Sequence, residues 1–139
     1  MSLAFLLDTN VLAEPLKAEP NRGVMSKLRQ YEGRMAVAAP VWHEMWFGWA
    51  RLAEGKRRTA IGAYLSTALR PTLPVLAYTA AAAEWHAKER ARLAAKGQTP
   101  SFVDGQIASI AAEQGLTLVT RNMPDFRMFH GLKVVDWTS

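Results

Sequence analysis

Short apolar runs alternate with longer amphipathic segments along the chain. The first three runs have four or five residues and almost no polar positions, which is typical of strands buried on both faces of a parallel sheet. Pro40 suits a first helical position, and Gly97 and Gly115 suit helix ends. The pattern predicts strands at residues 3–7, 35–39, 116–119 and 133–135, and helices at residues 11–16, 22–31, 40–54, 58–69, 79–96 and 101–114.

This alternation predicts a single α/β domain over residues 1–139. Strand–helix–strand units are right-handed and place helices on both faces of a sheet. The expected architecture is therefore a three-layer α/β/α domain around a mostly parallel sheet of four or five strands. In such sheets ligands bind at the carboxyl ends of the strands. Asp8 follows the first predicted strand and Thr120 follows the third, so both are expected at this edge.

Composition excludes several kinds of site. The 139 residues include no cysteine, which rules out disulfides, thiolate metal sites and cysteine nucleophiles and favours a cytoplasmic protein. The chain lacks a glycine-rich phosphate loop, a dinucleotide-binding turn and a Gly-x-Ser-x-Gly elbow, and its three histidines are scattered. No apolar stretch predicts a membrane span, and Asp8 interrupts any signal-peptide core. Carboxylates remain the main candidate chemical groups.

Four acids stand where a site at this sheet edge would need them. Asp8 and Asp125 follow predicted strands, while Glu44 and Asp104 lie in the opening turns of helices. Each has a purely structural alternative: Asp8 as a helix cap, Glu44 as an exposed helical acid, and the other two as partners of capping side chains three residues earlier. A shared site explains why all four point toward one pole of the domain.

Such a cluster of acids requires a cation. Two carboxylates about 5 Å apart repel by roughly 3 kcal/mol at an effective dielectric of about 20. Four cannot all stay ionised without a counter-ion or a proton. Oxygen ligands select Mg²⁺ or Mn²⁺, and such an ion lowers the pKa of bound water and can hold a phosphodiester oxygen for in-line attack.

Net charge favours a polyanionic partner. The chain has 17 Lys and Arg against 12 Asp and Glu, a net charge of +5, which suggests a polyanionic partner, nucleic acid above all. Taken alone, this charge is explained more simply by an ordinary solvated basic surface. Trp42, Trp46 and Trp49 share one helix face, which favours core or a subunit or partner interface over base stacking. Two basic clusters could hold backbone phosphates: Arg51, Lys56, Arg57 and Arg58, and Lys88, Arg90, Arg92 and Lys96.

Four short motifs follow one another along nearly the whole chain. They are Leu6-Leu7-Asp8-Thr9-Asn10-Val11-Leu12, Glu44 with Gly48, Asp104-Gly105-Gln106-Ile107-Ala108, and Leu118-Val119-Thr120-Arg121-Asn122-x-x-Asp125-Phe126. This set resembles the PIN-domain ribonucleases, and among them the VapC-like toxins of bacterial toxin–antitoxin pairs. Each motif is weak alone, and the set is fairly specific. One departure is Ala38-Ala39-Pro40, where the family often has Ser or Thr.

The resemblance implies a Mg²⁺- or Mn²⁺-dependent endoribonuclease with a compact α/β/α fold. It also implies RNA as substrate, a homodimer, and inhibition by a small antitoxin protein that covers the site. The matched acidic ligands are Asp8, Glu44 and Asp104, with Asp125 as the more variable fourth, and the matched supporting positions are Thr9, Thr120 and Asn122.

Two other functions remain open from the sequence. A phosphatase with an aspartyl nucleophile would need a second acid two residues after Asp8, where this chain has Asn10. A non-catalytic PIN-like module that binds RNA or a partner is the other alternative. The retained acids argue against it, because a protein that only binds polyanions gains nothing from clustered negative charge.

Overall fold

Five parallel strands form the centre of the computed structural model, which describes residues 2–138. The strand order is β3-β2-β1-β4-β5, so β1 is central and the direction in which strands are added reverses between β1 and β4. Ligands bind at such reversals in open α/β sheets. The strands are β1 (Phe5–Leu7), β2 (Met35–Ala38), β3 (Val75–Leu76), β4 (Thr117–Val119) and β5 (Val134–Val135).

Six α-helices connect these strands within the described residues. Since crossovers between parallel strands are right-handed, the helices before β3 cover one face of the sheet and those between β3 and β4 cover the other. The helices are α1 (Thr9–Leu12), α2 (Arg22–Gln30), α3 (Ala39–Ala50), α4 (Lys56–Ala63), α5 (Ala80–Ala95) and α6 (Phe102–Gln114), with 3₁₀ turns at Glu14–Leu16 and Met123–Asp125 and a π-helical segment at Tyr64–Leu69.

The predicted architecture is confirmed, and four details of the prediction are wrong. The helix predicted at residues 40–54 ends four residues earlier, at Ala50. The edge strand β3 was not predicted, because it has only two residues and follows Pro74. The helix predicted at residues 11–16 is two short pieces, since Pro15 lacks the N–H that a continuous helix needs. The helix predicted at residues 58–69 begins as α4 and continues as the π-helical segment.

The hydrophobic core fixes the central strand from both faces. Leu6 and Leu7 point to opposite sides of β1 and are both fully buried, as is Leu118 on the neighbouring strand. Each such leucine contributes about 1.5–3 kcal/mol relative to an exposed one. The end of β1, where Asp8 lies, is therefore held rigidly.

No helix in residues 2–138 has the length and apolar character needed to cross a membrane.

Candidate active site

Asp8 stands at the carboxyl end of the central strand and is only 7% exposed. Its backbone N–H donates to the Val119 carbonyl at 2.9 Å, which extends the β1–β4 pairing by one residue. One carboxylate oxygen, Oδ1, accepts from the Thr9 N–H at 2.8 Å, and Oδ2 accepts from the Thr120 hydroxyl at 2.7 Å. Asp8 thus caps α1, as its structural alternative proposed, and also faces the sheet edge.

Burial raises the pKa of Asp8 above its ordinary value. The hydrogen bonds from Thr120 and Thr9 act in the opposite direction, because they stabilise the ionised carboxylate. The negative charge of Asp125 raises the pKa further. Two donors therefore hold the Asp8 carboxylate in one orientation, while burial and Asp125 disfavour its ionised form. A cation bound to the carboxylate would stabilise that ionised form.

Asp104 reaches the same edge from the first turn of α6. Its backbone N–H donates to the Ser101 hydroxyl at 3.1 Å, so the predicted cap at Ser101 is present. Burial raises the pKa of Asp104, and the negative charges of Asp8 and Asp125 raise it further, against the effect of Ser101. The three aspartates therefore interact electrostatically, although they come from distant parts of the sequence.

A cleft of about 480 Å³ contains three of the four predicted acids and two of the three supporting residues, while Thr120 lies behind Asp8 and does not line it. Asp8, Glu44 and Asp104 all line it, with Glu44 exposed on α3. Asp125 is exposed and lies with Asp104 on an adjoining hollow. The cleft is of ordinary size for a small-ligand site. The remaining predicted residues on its wall are Thr9 and Asn122, together with Asn10.

The donor chemistry of this cleft fits a hard divalent cation. In residues 2–138 no three His, Asp or Glu side chains stand close enough together to hold one ion. The available donors are carboxylate oxygens, and both Asp8 and Asp104 are disfavoured as free anions. An ion between them would offset both burial and repulsion, so Mg²⁺ or Mn²⁺ fits the residues present.

The supporting residues act through different atoms. Thr9 supplies its backbone N–H to Asp8. Thr120 is fully buried, and its hydroxyl both donates to Asp8 and accepts the Asn122 N–H at 3.0 Å. Asn10, the position where a phosphatase would need a second acid, accepts the Arg121 N–H at 3.2 Å through its amide oxygen.

The two basic clusters are less open than the sequence indicated. Arg92 donates twice to Glu89, at 2.8 and 2.9 Å, and once to the Met128 carbonyl, so its guanidinium is largely occupied. Arg58 lies over the ring of Trp49, 4.1 Å from its centroid. The exposed members are Arg51, Lys56, Arg57, Lys88, Arg90 and Lys96.

The tryptophan stripe is an intramolecular packing element. Trp42, Trp46 and Trp49 contact one another edge to face and pack half-buried against the core. The Arg70 guanidinium lies 5.3 Å from the centroid of the Trp46 ring. Packing of this stripe against the core is therefore confirmed, while its role in a subunit or partner interface stays a prediction.

Sequence reasoning missed two buried ionisable groups near the site. Glu14 is 1% exposed, and its position three residues after buried Val11 was the available signal. His86, 2% exposed, packs against Gly105 so closely that a Cβ there would collide with its imidazole. This close approach fixes the start of α6, and with it Asp104, against α5.

Comparison with known proteins shows which family the chain belongs to. The PIN domain model matches residues 5–127, and the chain belongs to the PIN domain family. It is 31% identical over 137 residues to the tRNA(fMet)-specific endonuclease VapC of Shigella flexneri, covering 98% of this chain and 99% of that protein. It is 32% identical over 134 residues to the VapC ribonuclease Y4jK of Sinorhizobium fredii, covering 94% and 95%. Within the family the chain is therefore a member of the VapC-type toxins.

A solved structure supports the same assignment. FitAB bound to an IR36 DNA fragment superposes with a TM-score of 0.90 at 27% identity, covering 97% of this chain and 96% of that one.

Proposed function

We propose that this VapC-type ribonuclease hydrolyses RNA phosphodiester bonds as a Mg²⁺- or Mn²⁺-dependent endoribonuclease. The observation that carries the proposal is that Asp8, Glu44 and Asp104, from three distant parts of the sequence, line one cleft at the carboxyl edge of the sheet. Carboxyl groups whose pKa is perturbed and which line a cleft are typical of functional sites.

The residues in and around the cleft would bind the metal ion, orient Asp8 or hold the RNA. Asp8 and Asp104 would hold the ion, with Glu44 and Asp125 as further oxygen donors at the rim. The bound ion supplies Lewis-acid chemistry and lowers the pKa of a water molecule. Thr120 and the Thr9 N–H keep the Asp8 carboxylate in one orientation. The exposed members of the two basic clusters would hold the RNA backbone, chiefly by charge.

An antitoxin partner follows from the complexes that related proteins form. VapBC from Salmonella typhimurium, solved bound to DNA, matches with a TM-score of 0.82 at 29% identity over 97% of this chain and 98% of that one. FitAB is likewise a complex. We propose that this chain is the toxin of such a pair and is inhibited by a small antitoxin protein. Homodimer formation and a cytoplasmic location stay predictions.

RNA cleavage in the presence and absence of metal tests the proposed function. Purified protein should cut RNA with Mg²⁺ or Mn²⁺ and stop when EDTA is added. Asp104→Asn should lower the cleavage rate by more than about 100-fold, since a ligand charge is removed. Glu113→Gln removes an exposed charge at the other end of α6 and should cleave at the wild-type rate. RNA that stays intact with metal, or is bound without cleavage, would favour the non-catalytic module.

A further inference from the structure

Glu14 is a buried carboxylate that lies outside the cleft and serves no role described so far. Its Oε2 accepts the Asn21 N–H at 2.8 Å. Its Oε1 accepts from the Arg121 Nη1 at 2.8 Å and from the Lys17 ammonium at 3.2 Å. Fully buried acids are rare unless they are paired, and this one is paired across 107 residues of sequence.

Arg121 connects this carboxylate to the turn that follows β4. Its guanidinium is bound to Glu14 on the 3₁₀ turn, while its backbone N–H donates to the Asn10 Oδ1 on α1. The two neighbours of Arg121 belong to the site, because Thr120 contacts Asp8 and Asn122 lines the cleft. Thr120 donates to Asp8, and the Asn122 N–H donates to Thr120. The ion pair to Glu14 and the hydrogen bond to Asp8 are therefore made by adjacent residues of one turn, Arg121 and Thr120.

We propose that Glu14 and Arg121 are positioning residues of the nuclease site. Their ion pair fixes the turn after β4 in the conformation in which Thr120 holds Asp8 and Asn122 faces the cleft. The inference rests on the proposed function, because it assigns a role toward that same site. Removing Arg121 would leave Glu14 paired with Lys17 and would detach the turn after β4 from this carboxylate, so that the turn is free to move.

Lys17 provides a matched control for this proposal. It contacts the same oxygen of Glu14, but it lies at the end of the 3₁₀ turn and does not reach the β4 turn. Lys17→Met and Arg121→Met each remove one positive charge from the same carboxylate and keep an unbranched side chain. Both side chains are at least 36% exposed, so both variants are expected to fold.

Two measurements on the full chain, amide hydrogen exchange by NMR and single-turnover RNA cleavage, test the role. In Arg121→Met the backbone amides of residues 121 and 122 should exchange at least about ten-fold faster than in the wild type. The cleavage rate should fall by about ten-fold to a hundred-fold with unchanged RNA affinity, as expected when a catalytic group is displaced. Arg121→Lys should recover much of the rate. Lys17→Met should match the wild type in both measurements.

Other outcomes would overturn the inference. An Arg121→Met variant that cleaves normally would refute it, as would slower cleavage with unchanged amide exchange or a loss confined to RNA affinity, which would make Arg121 a phosphate contact. Equal losses in Lys17→Met would mean that only charge around Glu14 matters. These results all require a wild type that cleaves RNA; a wild type that does not would refute the proposed function itself.

Discussion

Replacing Thr120 by valine isolates one bond at the centre of the site. Valine has almost the same shape as threonine, but it replaces the hydroxyl that donates to Asp8 Oδ2 at 2.7 Å with a methyl group. The Asn122 N–H loses an acceptor as well, but Asn122 is exposed and water can replace that contact. The variant therefore reports mainly on the bond to Asp8.

The expected cost follows from the kind of bond removed. A hydrogen bond to a charged group contributes about 1.5–3 kcal/mol when its partner stays buried. For a domain of this size about 1 kcal/mol corresponds to a change of roughly 3 °C in Tm. Thr120→Val should thus melt about 5–9 °C below the wild type at neutral pH. Thermal melts followed by circular dichroism measure this directly.

The pH dependence of the difference distinguishes this bond from general packing. The hydroxyl stabilises the ionised form of Asp8, so its loss raises the pKa of Asp8 still further. Thr120→Val should be less stable than the wild type while Asp8 is ionised. This difference should disappear as the pH falls below the raised pKa that Asp8 has in each folded protein.

Thr9→Val is the matched control, because the bond from Thr9 to Asp8 comes from the backbone N–H and survives the substitution. A Tm for Thr120→Val equal to that of this control would refute the reasoning, and so would a difference that persists unchanged into acid.

Three further predictions follow from the same neighbourhood. Asp104→Asn should raise Tm at neutral pH, because it removes an ionised carboxyl whose pKa is raised by burial and by nearby aspartates; the gain should vanish in acid, and an equal or lower Tm at neutral pH would contradict it. Gly105→Ala should lower the free energy of unfolding in urea by about 1–3 kcal/mol or more, because its Cβ meets His86; wild-type stability would refute that packing. Burial lowers the pKa of His86, so below pH 6.5 the unfolded chain binds a proton that the folded chain does not. The free energy of unfolding should therefore fall as the pH drops below 6.5, and it should fall less steeply in His86→Gln. The same dependence of stability on pH in both proteins would contradict this prediction.

Local signals explain why much of the site could be predicted from the sequence. A parallel sheet places the ends of its strands along one edge, so two apolar runs were enough to bring Asp8 and Thr120 together. The cap at Ser101 marked the start of α6 and therefore the position of Asp104.

Features that depend on distant partners could not be predicted in this way. Glu14 looked like any acid on a short helix, because the arginine that pairs with it lies 107 residues away. The strand β3 exists only through its pairing with β2, since two residues after a proline carry no periodic signal. The open arrangement of the acids is likewise a matter of side-chain geometry, which the order of motifs does not determine.

Binding of Mn²⁺ observed by NMR tests the central claim most directly, because the paramagnetic ion broadens only the signals of nearby nuclei. Substoichiometric Mn²⁺ should first broaden the amide signals of Thr9, Gly105 and Asn122, which surround Asp8 and Asp104. Asp8→Asn should abolish this pattern. Broadening that is scattered over exposed acids such as Glu54 and Glu113, and is unchanged in Asp8→Asn, would contradict a metal site at this edge of the sheet.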